Sequence, residues 1–199
     1  MILVRIIAAT QNAGKIREIK KIFSSPDIQI ISMGEIGIDI DVEENGKTFE
    51  ENALIKARAI SAMCNDIVLA DDSGLCVDAL GGAPGIYSAR YAGEGASDED
   101  KINKLLNELK DATNRKAHFI SVIALVFPDG REFTTKGIVN GKIAYDAKGN
   151  QGFGYDPVFF ADELGKTFGE ATPEEKNRIS HRARALDEMY KLIIQKELI

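Results

Sequence analysis

Two adjacent carboxylates, Asp71 and Asp72, followed by Ser73 and Gly74, are the residues of this sequence best suited to chemistry. They follow an apolar run at 67–70, which predicts a short buried strand that ends at the first aspartate. Open α/β sheets bind ligands at the carboxyl ends of their strands. The pair could therefore hold Mg²⁺ or supply the base that activates water. The alternative is a strand-ending turn whose Asp and Ser side chains bond to nearby amides.

A second source of carboxylate oxygens is the pair Glu43 and Glu44, just before Gly46. A hard divalent cation takes oxygen ligands, and in proteins it commonly uses one or two carboxylates together with substrate phosphates. The pair therefore qualifies as the other half of a metal site. The same residues also suit a solvated surface turn, since acidic side chains are mostly exposed.

A loop that could hold phosphate lies at 10–15, between a predicted strand at 3–8 and a predicted helix. It supplies Thr, Asn, Gly and Lys where free amides and the helix dipole attract anions. It does not have the P-loop spacing, because Ile16 follows Gly14 and Lys15. An ordinary helix cap with a surface lysine is the alternative.

Two further cations are candidates for phosphate contact. Lys56 lies next to the inward-facing positions Ala53 and Ala57 of a predicted helix, so its ammonium could leave that face toward a ligand. Arg90 follows a Gly- and Pro-rich loop, and arginine suits bidentate phosphate contact. The alternatives are a lysine that extends into water and a plain surface arginine.

Aromatic and basic residues near the C-terminus could hold a base. Phe153, Tyr155 and Asp156 lie on a glycine-rich loop, where two rings could stack on a base and a carboxylate could accept from its ring N–H groups. In a predicted final helix, Lys176, Ser180, His181 and Arg184 share the polar side, and Arg182 borders the opposite flank. Loop aromatics that cover the core and a structural histidine are the alternatives.

Helices and strands alternate along the chain, which predicts an α/β fold. Capping residues and 3.6-residue periodicity predict helices at 15–23, 48–64, 97–109 and 172–190. Apolar runs predict strands at 3–8, 28–31, 67–70, 119–127 and 131–139, the last two forming a hairpin. We expect residues 1–199 to form one domain, because 199 residues are few for two independent ones.

Composition excludes several classes of protein. Hydrophobic residues make up 44% and charged residues 28%, as in soluble globular proteins. A net charge of −6 disfavours nucleic acid and anionic membranes as partners. No apolar run is long enough to span a bilayer, and the N-terminus lacks a secretory signal, so we expect a cytoplasmic protein. The two cysteines, Cys64 and Cys76, offer neither a disulfide framework nor a thiolate metal site.

Six segments together resemble the inosine triphosphate pyrophosphatase family, occur in that family's order, and span nearly the whole chain. They are TQNAGK at 10–15, EENGKTFEENALIKAR at 43–58, ADDSGL at 70–75, GGAPGIYSARYAG at 81–93, GFGYDPVF at 152–159 and EKNRISHR at 175–182. One departure is Gln11, where many members have glycine.

The resemblance implies a magnesium-dependent enzyme that hydrolyses ITP, dITP and XTP or dXTP to the nucleoside monophosphate and pyrophosphate, which removes deaminated purines from the nucleotide pool. It also implies an elongated mixed sheet flanked by helices, two lobes with a nucleotide cleft between them, and a homodimer. The alternatives are a pyrophosphatase of modified pyrimidine nucleotides and a non-catalytic nucleotide sensor.

The resemblance also assigns roles residue by residue. It implies that Asp72 is the catalytic base and a metal ligand, and that Glu43, preferred over Glu44 for its spacing to Gly46, is the second ligand. The substrate-binding residues that we predict are Thr10, Gln11, Asn12, Ala13, Gly14, Lys15, Lys56, Ser73, Arg90, Phe153, Gly154, Tyr155, Asp156, Lys176, His181 and Arg182.

Overall fold

A computed structural model describes residues 3–199 of the chain. Its helices are α1 (Ala13–Ile22), α2 (Phe49–Cys64), α3 (Asp98–Glu108), α4 (Pro173–Ile179) and α5 (His181–Gln195). Its strands are β1 (Val4–Ala8), β2 (Ile28–Ser32), β3 (Ile67–Val77), β4 (Lys116–Val126), β5 (Glu132–Ile143), β6 (Phe159–Ala161) and β7 (Lys166–Thr167). None of the described helices is long and apolar enough to cross a membrane.

The strands form one mixed sheet in the order β2-β1-β3-β4-β5-β6-β7. β1 pairs in parallel with both β2 and β3, whereas β6 pairs antiparallel with β5 and with β7. β4 and β5 are neighbours joined by a tight turn in which Phe127 N donates to Arg131 O at 2.9 Å, so the predicted hairpin is confirmed. The predicted α/β class, a mixed sheet with flanking helices, is also confirmed.

The chain folds into two compact units. Unit 1 comprises Met1–Asp72, Ser121–Gly137 and Arg182–Ile199, and unit 2 comprises Ser73–Ile120 and Ile138–His181. Neither unit is a single continuous stretch of chain, since each is assembled from segments that are distant in sequence. The assignment of residues 1–199 to a single domain stays a prediction.

Unit 1 buries apolar side chains on both faces of its strands. The alternation of β1 sends Ile6 into a cluster with Ile19 of α1 and Leu186 of α5. Ile7, the next residue, joins a second cluster with Ala57 of α2. Helices thus cover both faces, which explains why residues 6–8 of β1 are all apolar and buried rather than alternating.

Unit 2 has a core of its own, in which Leu105 of α3 packs with residues of the strands and with aromatic side chains. Phe119, Phe159 and Phe168 form its centre, with ring centroids 4.6 Å apart for the first pair and 5.2 Å for the last pair. Burial of such rings contributes strongly to core stability.

Strand β3 is longer than the sequence predicted. It was expected to end at Ala70, but it continues through both aspartates to Val77, so Asp71 and Asp72 lie within the strand. Asp, Ser and Gly favour turns locally, but here the buried Asp71 side chain has partners from distant parts of the chain. Tertiary contacts therefore override the local preference.

The single predicted final helix is also wrong, because it is two helices. α4 ends at Ile179, Ser180 is extended with φ −61° and ψ 152°, and α5 begins at His181. Lys176 and His181 were predicted to share the polar side of one uninterrupted helix. They lie instead on two separate helices, α4 and α5. Because serine is favoured immediately before a helix, Ser180 was the residue from which the break between the two helices could have been predicted.

Candidate active site

Asp72 lies inside β3 and is only 6% exposed. Its Oδ2 is buried and has no hydrogen-bond partner among residues 3–199. Burial raises the pKa of Asp72 to about 6; Lys56 opposes this shift, and Glu44 adds to it. A buried carboxylate oxygen without a partner is costly unless a ligand or ion engages it, so Asp72 is the strongest functional candidate of the chain.

Asp71, its neighbour, has partners for both carboxylate oxygens. Oδ1 accepts from Ser121 Oγ at 2.7 Å. Oδ2 lies 3.0 Å from Lys15 Nζ and accepts from Arg182 Nε at 3.0 Å. Burial alone would raise the pKa of Asp71, but Arg182 and Lys15 outweigh it and hold that pKa well below its usual range. Asp71 therefore anchors basic side chains and stays ionised.

Arg182, predicted to contact substrate, is 2% exposed and also pairs with Glu18 of α1. Burial would lower the pKa of its guanidinium, but Asp71 and Glu18 raise it above its usual value. The structure thus gives Arg182 two carboxylate partners within unit 1. Its predicted contact with substrate stays a prediction.

The two candidate phosphate-binding lysines come together at the backbone of β3. Lys15 Nζ lies 3.4 Å and Lys56 Nζ 3.2 Å from the carbonyl oxygen of Asp71. Burial lowers the pKa of Lys15, and Asp71 counteracts part of this effect. Two ammonium groups beside a buried carboxylate form a cationic group that suits a polyphosphate.

The contacts of Glu43 and Glu44, the acidic pair before α2, distinguish the two residues. Glu44 is partly buried, and its Oε1 lies 2.6 Å from Lys56 Nζ. Glu43, which the sequence favoured, is exposed. Glu44 is also the residue that adds to the raised pKa of Asp72. The geometry therefore favours Glu44 as the second carboxylate, and the metal role of Glu43 stays a prediction without support from these contacts.

The loop at 10–15 caps α1 and uses several of its own amides. Asn12 Oδ1 accepts from Gly14 N at 2.9 Å and Lys15 N at 3.1 Å, and Thr10 Oγ1 accepts from Asn12 N at 3.1 Å. The exposed Gln11 donates to Asp39 Oδ1 at 2.8 Å. Fewer backbone amides of this loop are therefore open to a ligand than the sequence predicted, and Lys15 is the main candidate of the loop for anion binding.

Unit 2 contains the candidate base-binding loop. Asp156 is 2% exposed, and its Oδ2 accepts from Phe153 N at 2.9 Å and Lys176 Nζ at 2.7 Å. Lys176 Nζ also lies 4.7 Å from the centre of the Phe153 ring. Gly152 has φ +76°, and a Cβ there would lie 1.9 Å from Asp156 Oδ2, so this position requires glycine. The loop thus holds a ring, an ammonium and a carboxylate together.

Further contacts fix this loop. Tyr155 Oη donates to Ser88 O at 2.8 Å, and Ser88 Oγ accepts from Leu75 N of β3 at 2.9 Å. Gly154 N donates to Asp98 Oδ2 at the start of α3, at 2.7 Å. These bonds position the candidate base-binding residues on the rigid elements of unit 2.

The other predicted substrate-binding residues differ in burial and in the side chains that they contact. His181 is buried and stacks on Phe119, with centroids 4.6 Å apart. Arg90 is exposed, with its guanidinium 5.2 Å from the centre of the Tyr87 ring. Ser73 directly follows Asp72 in β3 and is partly buried.

Sequence reasoning missed three residues that hold the site residues in place. Ser121 and Glu18 contact Asp71 and Arg182 from distant parts of the chain, which no local pattern reveals. Asp98 lies next to the capping box at Ser97, and that box predicted the helix but not the bond to the loop. Glu44 was considered but ranked second. Within residues 3–199, no group of three or more His, Cys, Asp or Glu side chains forms a ready metal site.

Known proteins share this architecture. A dITP/XTP pyrophosphatase from Clostridium perfringens is 51% identical over 193 residues, which cover 93% of this chain and 95% of that protein. The structure of the Staphylococcus aureus Ham1 protein superposes with a TM-score of 0.88 at 47% identity, over 96% of this chain and 99% of that one. A HAM1 protein from Coxiella burnetii gives 0.89 at 39% identity, over 96% and 99% of the two chains. The sequence profile of the Ham1 family matches residues 6–192, and the chain belongs to this family.

Proposed function

We propose that this protein hydrolyses deaminated purine nucleoside triphosphates, dITP, ITP, XTP and dXTP, to the nucleoside monophosphate and pyrophosphate. The observation that carries the proposal is Asp72, a buried carboxylate with a raised pKa, beside the ammonium groups of Lys15 and Lys56. A base next to polyphosphate-binding cations is what hydrolysis of a triphosphate needs. The name of the Clostridium perfringens relative, a dITP/XTP pyrophosphatase, supports this substrate class.

The residues present fit Mg²⁺. Asp72 Oδ2 is buried without a partner among residues 3–199, and Glu44 offers a second carboxylate. Two carboxylates and substrate phosphates are a common set of oxygen ligands for this ion. When bound, Mg²⁺ supplies neutralisation of phosphate charge and a lower pKa for water.

The protein's own residues supply the general base and the cations that the reaction needs. Asp72 accepts the proton of the water that attacks the α-phosphorus, because a carboxyl group with a pKa of about 6 is ionised at neutral pH yet still basic. Lys15 and Lys56 stabilise the negative charge that accumulates on the departing pyrophosphate. No covalent enzyme intermediate is needed.

Base recognition falls to the group formed by Phe153, Asp156 and Lys176. Phe153 stacks on the purine, Asp156 accepts from a ring N–H, and Lys176 donates to the 6-carbonyl of hypoxanthine or xanthine. Adenine has an amino donor at this position, so the lysine would face another donor. An unsatisfied buried donor costs about 1 to 3 kcal/mol, which corresponds to roughly 5- to 150-fold discrimination for one contact.

The test is pyrophosphate release from purified protein with dITP, XTP, dATP, dGTP, dUTP and a modified UTP, each with and without Mg²⁺. We expect release from dITP and XTP only with the ion, with kcat/KM at least about fivefold above that for dATP. Equal activity on dATP, or preference for the pyrimidines, would overturn the assignment. Binding of dITP without turnover would indicate a nucleotide sensor instead.

We also propose that the protein acts as a cytoplasmic homodimer. The resemblance to the inosine triphosphate pyrophosphatase family supports the dimer. The proposed substrates, which belong to the nucleotide pool, support the location. Light scattering coupled to size-exclusion chromatography tests the dimer, because the chain mass is 21.7 kDa and a dimer has twice that value.

A further inference from the structure

A groove of about 610 Å³ opens on unit 2, in a region that includes no predicted substrate-binding residue. The segment before β4, the end of β5 and the residues that follow β5 line it. The residues on which the argument depends are Arg115, Lys116, Lys142, Tyr145, Asp146 and Lys148. Its volume lies within the range of small-molecule sites.

The charge of the groove is opposite to that of the protein. Four of its lining residues are cationic and one, Asp146, is a carboxylate. The whole chain has a net charge of −6. A concave surface with excess positive charge attracts anions, and the concave shape strengthens the field.

Arg115 is the fixed component of the groove. It is 8% exposed and donates to the carbonyl oxygens of Leu109, Ile143 and Ala144 at 2.9, 2.8 and 2.9 Å. These three bonds hold the guanidinium in one orientation and use three of its five N–H donors. Among the residues that the structure describes, no carboxylate forms an ion pair with Arg115. A buried cation that donates to carbonyl oxygens and has no carboxylate partner favours an anion as an additional partner.

Aromatic rings complete the walls. The Tyr145 ring lies 4.4 Å from the guanidinium carbon of Arg115 and is 72% exposed. Lys142 Nζ lies 4.7 Å from the centre of the Phe160 ring. One face of Tyr145 is thus occupied by the guanidinium, and its exposed surface is available to a planar group of a ligand.

We propose that this groove binds a small polyanion with several phosphate groups, either an inorganic polyphosphate or the phosphate chain of a nucleotide. Arg115 donates its two remaining N–H groups to phosphate oxygens, and Lys116, Lys142 and Lys148 neutralise the remaining charges. Several cations spread over a groove of this size match a chain of phosphates better than a single carboxylate. The site is independent of the proposed activity, because it shares no residue with it.

The test is isothermal titration calorimetry of the full chain with sodium tripolyphosphate in metal-free buffer. The double variant Lys116→Gln/Lys142→Gln removes two exposed lysines of the groove, and Lys191→Gln/Lys196→Gln removes two exposed lysines of the C-terminal region as a matched control. Each is also made in a Lys15→Gln/Lys56→Gln background, which removes the candidate phosphate-binding lysines of the active site.

We expect one equivalent of tripolyphosphate to remain bound in the Lys15→Gln/Lys56→Gln background. In that background the groove variant weakens binding roughly tenfold, and the control leaves it unchanged. If the background fails to fold, the comparison is made in the wild-type chain, where the groove variant must weaken one of two bound equivalents roughly tenfold. Unchanged binding in the groove variant, or equal loss in the control, overturns the proposal.

A second titration identifies the source of the phosphates. It compares ATP with tripolyphosphate on Tyr145→Ala in the same background. Weaker binding of ATP alone indicates that the ring stacks on a base and that the natural ligand is a nucleotide. Unchanged binding of both ligands indicates an inorganic polyphosphate. If ATP and tripolyphosphate both lose affinity equally, Tyr145 acts only by holding Arg115.

Discussion

Asp71 and Asp72 are adjacent and chemically identical, but their surroundings separate their roles. Arg182 and Lys15 keep the pKa of Asp71 well below its usual range against the effect of burial. Burial raises the pKa of Asp72 to about 6. Two carboxyl groups with pKa values moved apart can take different tasks. Asp71 remains a fixed negative charge, and Asp72 can exchange a proton near neutral pH.

At the residue scale, the first prediction concerns turnover. Asp72→Asn removes the base and keeps the size of the side chain, so we expect kcat for dITP to fall about 100- to 10,000-fold. Nucleotide binding, measured by calorimetry, should persist because Lys15 and Lys56 are intact. Asp78→Asn, at an exposed aspartate in the same region of the chain, is the control and should keep full activity. Near-normal turnover of Asp72→Asn would exclude Asp72 as the base.

The same substitution should stabilise the metal-free protein. The pKa of Asp72 is higher in the folded state, about 6, than its ordinary value of 3.8, so ionisation of this group opposes folding above pH 6. Asp72→Asn should therefore raise the free energy of unfolding at pH 8 by about 1 to 3 kcal/mol. The gain should shrink as pH falls through 6 and vanish below about 4, where Asp72 is protonated in both states. Urea unfolding at several pH values measures it, and a pH-independent difference would contradict it.

At the element scale, the ion pairs of Asp71 with Lys15 and Arg182, rather than local preference, stabilise the middle of β3. Asp71→Asn removes the buried carboxylate that pairs with both Lys15 and Arg182, although Glu18 still pairs with Arg182, so we expect a loss of about 3 to 5 kcal/mol in the free energy of unfolding. Asp129→Asn breaks an exposed pair with Arg131 and should change stability little. Chemical denaturation of both variants makes the comparison. Equal losses in the two variants would show that the buried ion pairs of Asp71 stabilise the fold no more than the exposed pair of Asp129 does.

The elements show what local sequence can predict. The helices that begin after Thr48 and Ser97 were predicted because the capping residues lie within three positions of the amides they bind. The length of β3 was not predicted, because Asp71 depends on Ser121 and Arg182, which lie 50 and 111 residues away. The candidate base-binding loop was identified from its residue types. Its anchoring by Asp98 was not, since that bond spans 56 residues.

At the scale of the whole molecule, the mixed sheet, the two cores and the family membership are consistent with one another. The alternation of helices and strands predicted the α/β class, but not the short strands β6 and β7, which are too brief for periodicity to detect. The net charge of −6 disfavours nucleic acid and anionic membranes as partners but leaves room for local anion-binding sites. The local anion sites that we propose are the ammonium groups of Lys15 and Lys56 and the groove at Arg115.

In the proposed reaction, water attacks the α-phosphorus of a deaminated purine nucleoside triphosphate. Hydrolysis of dITP in water enriched in ¹⁸O, with Mg²⁺, tests this step directly when the products are analysed by mass spectrometry. We predict one ¹⁸O atom in dIMP and none in pyrophosphate. Label in the pyrophosphate, or release of orthophosphate with dIDP as the other product, would contradict attack at the α-phosphorus.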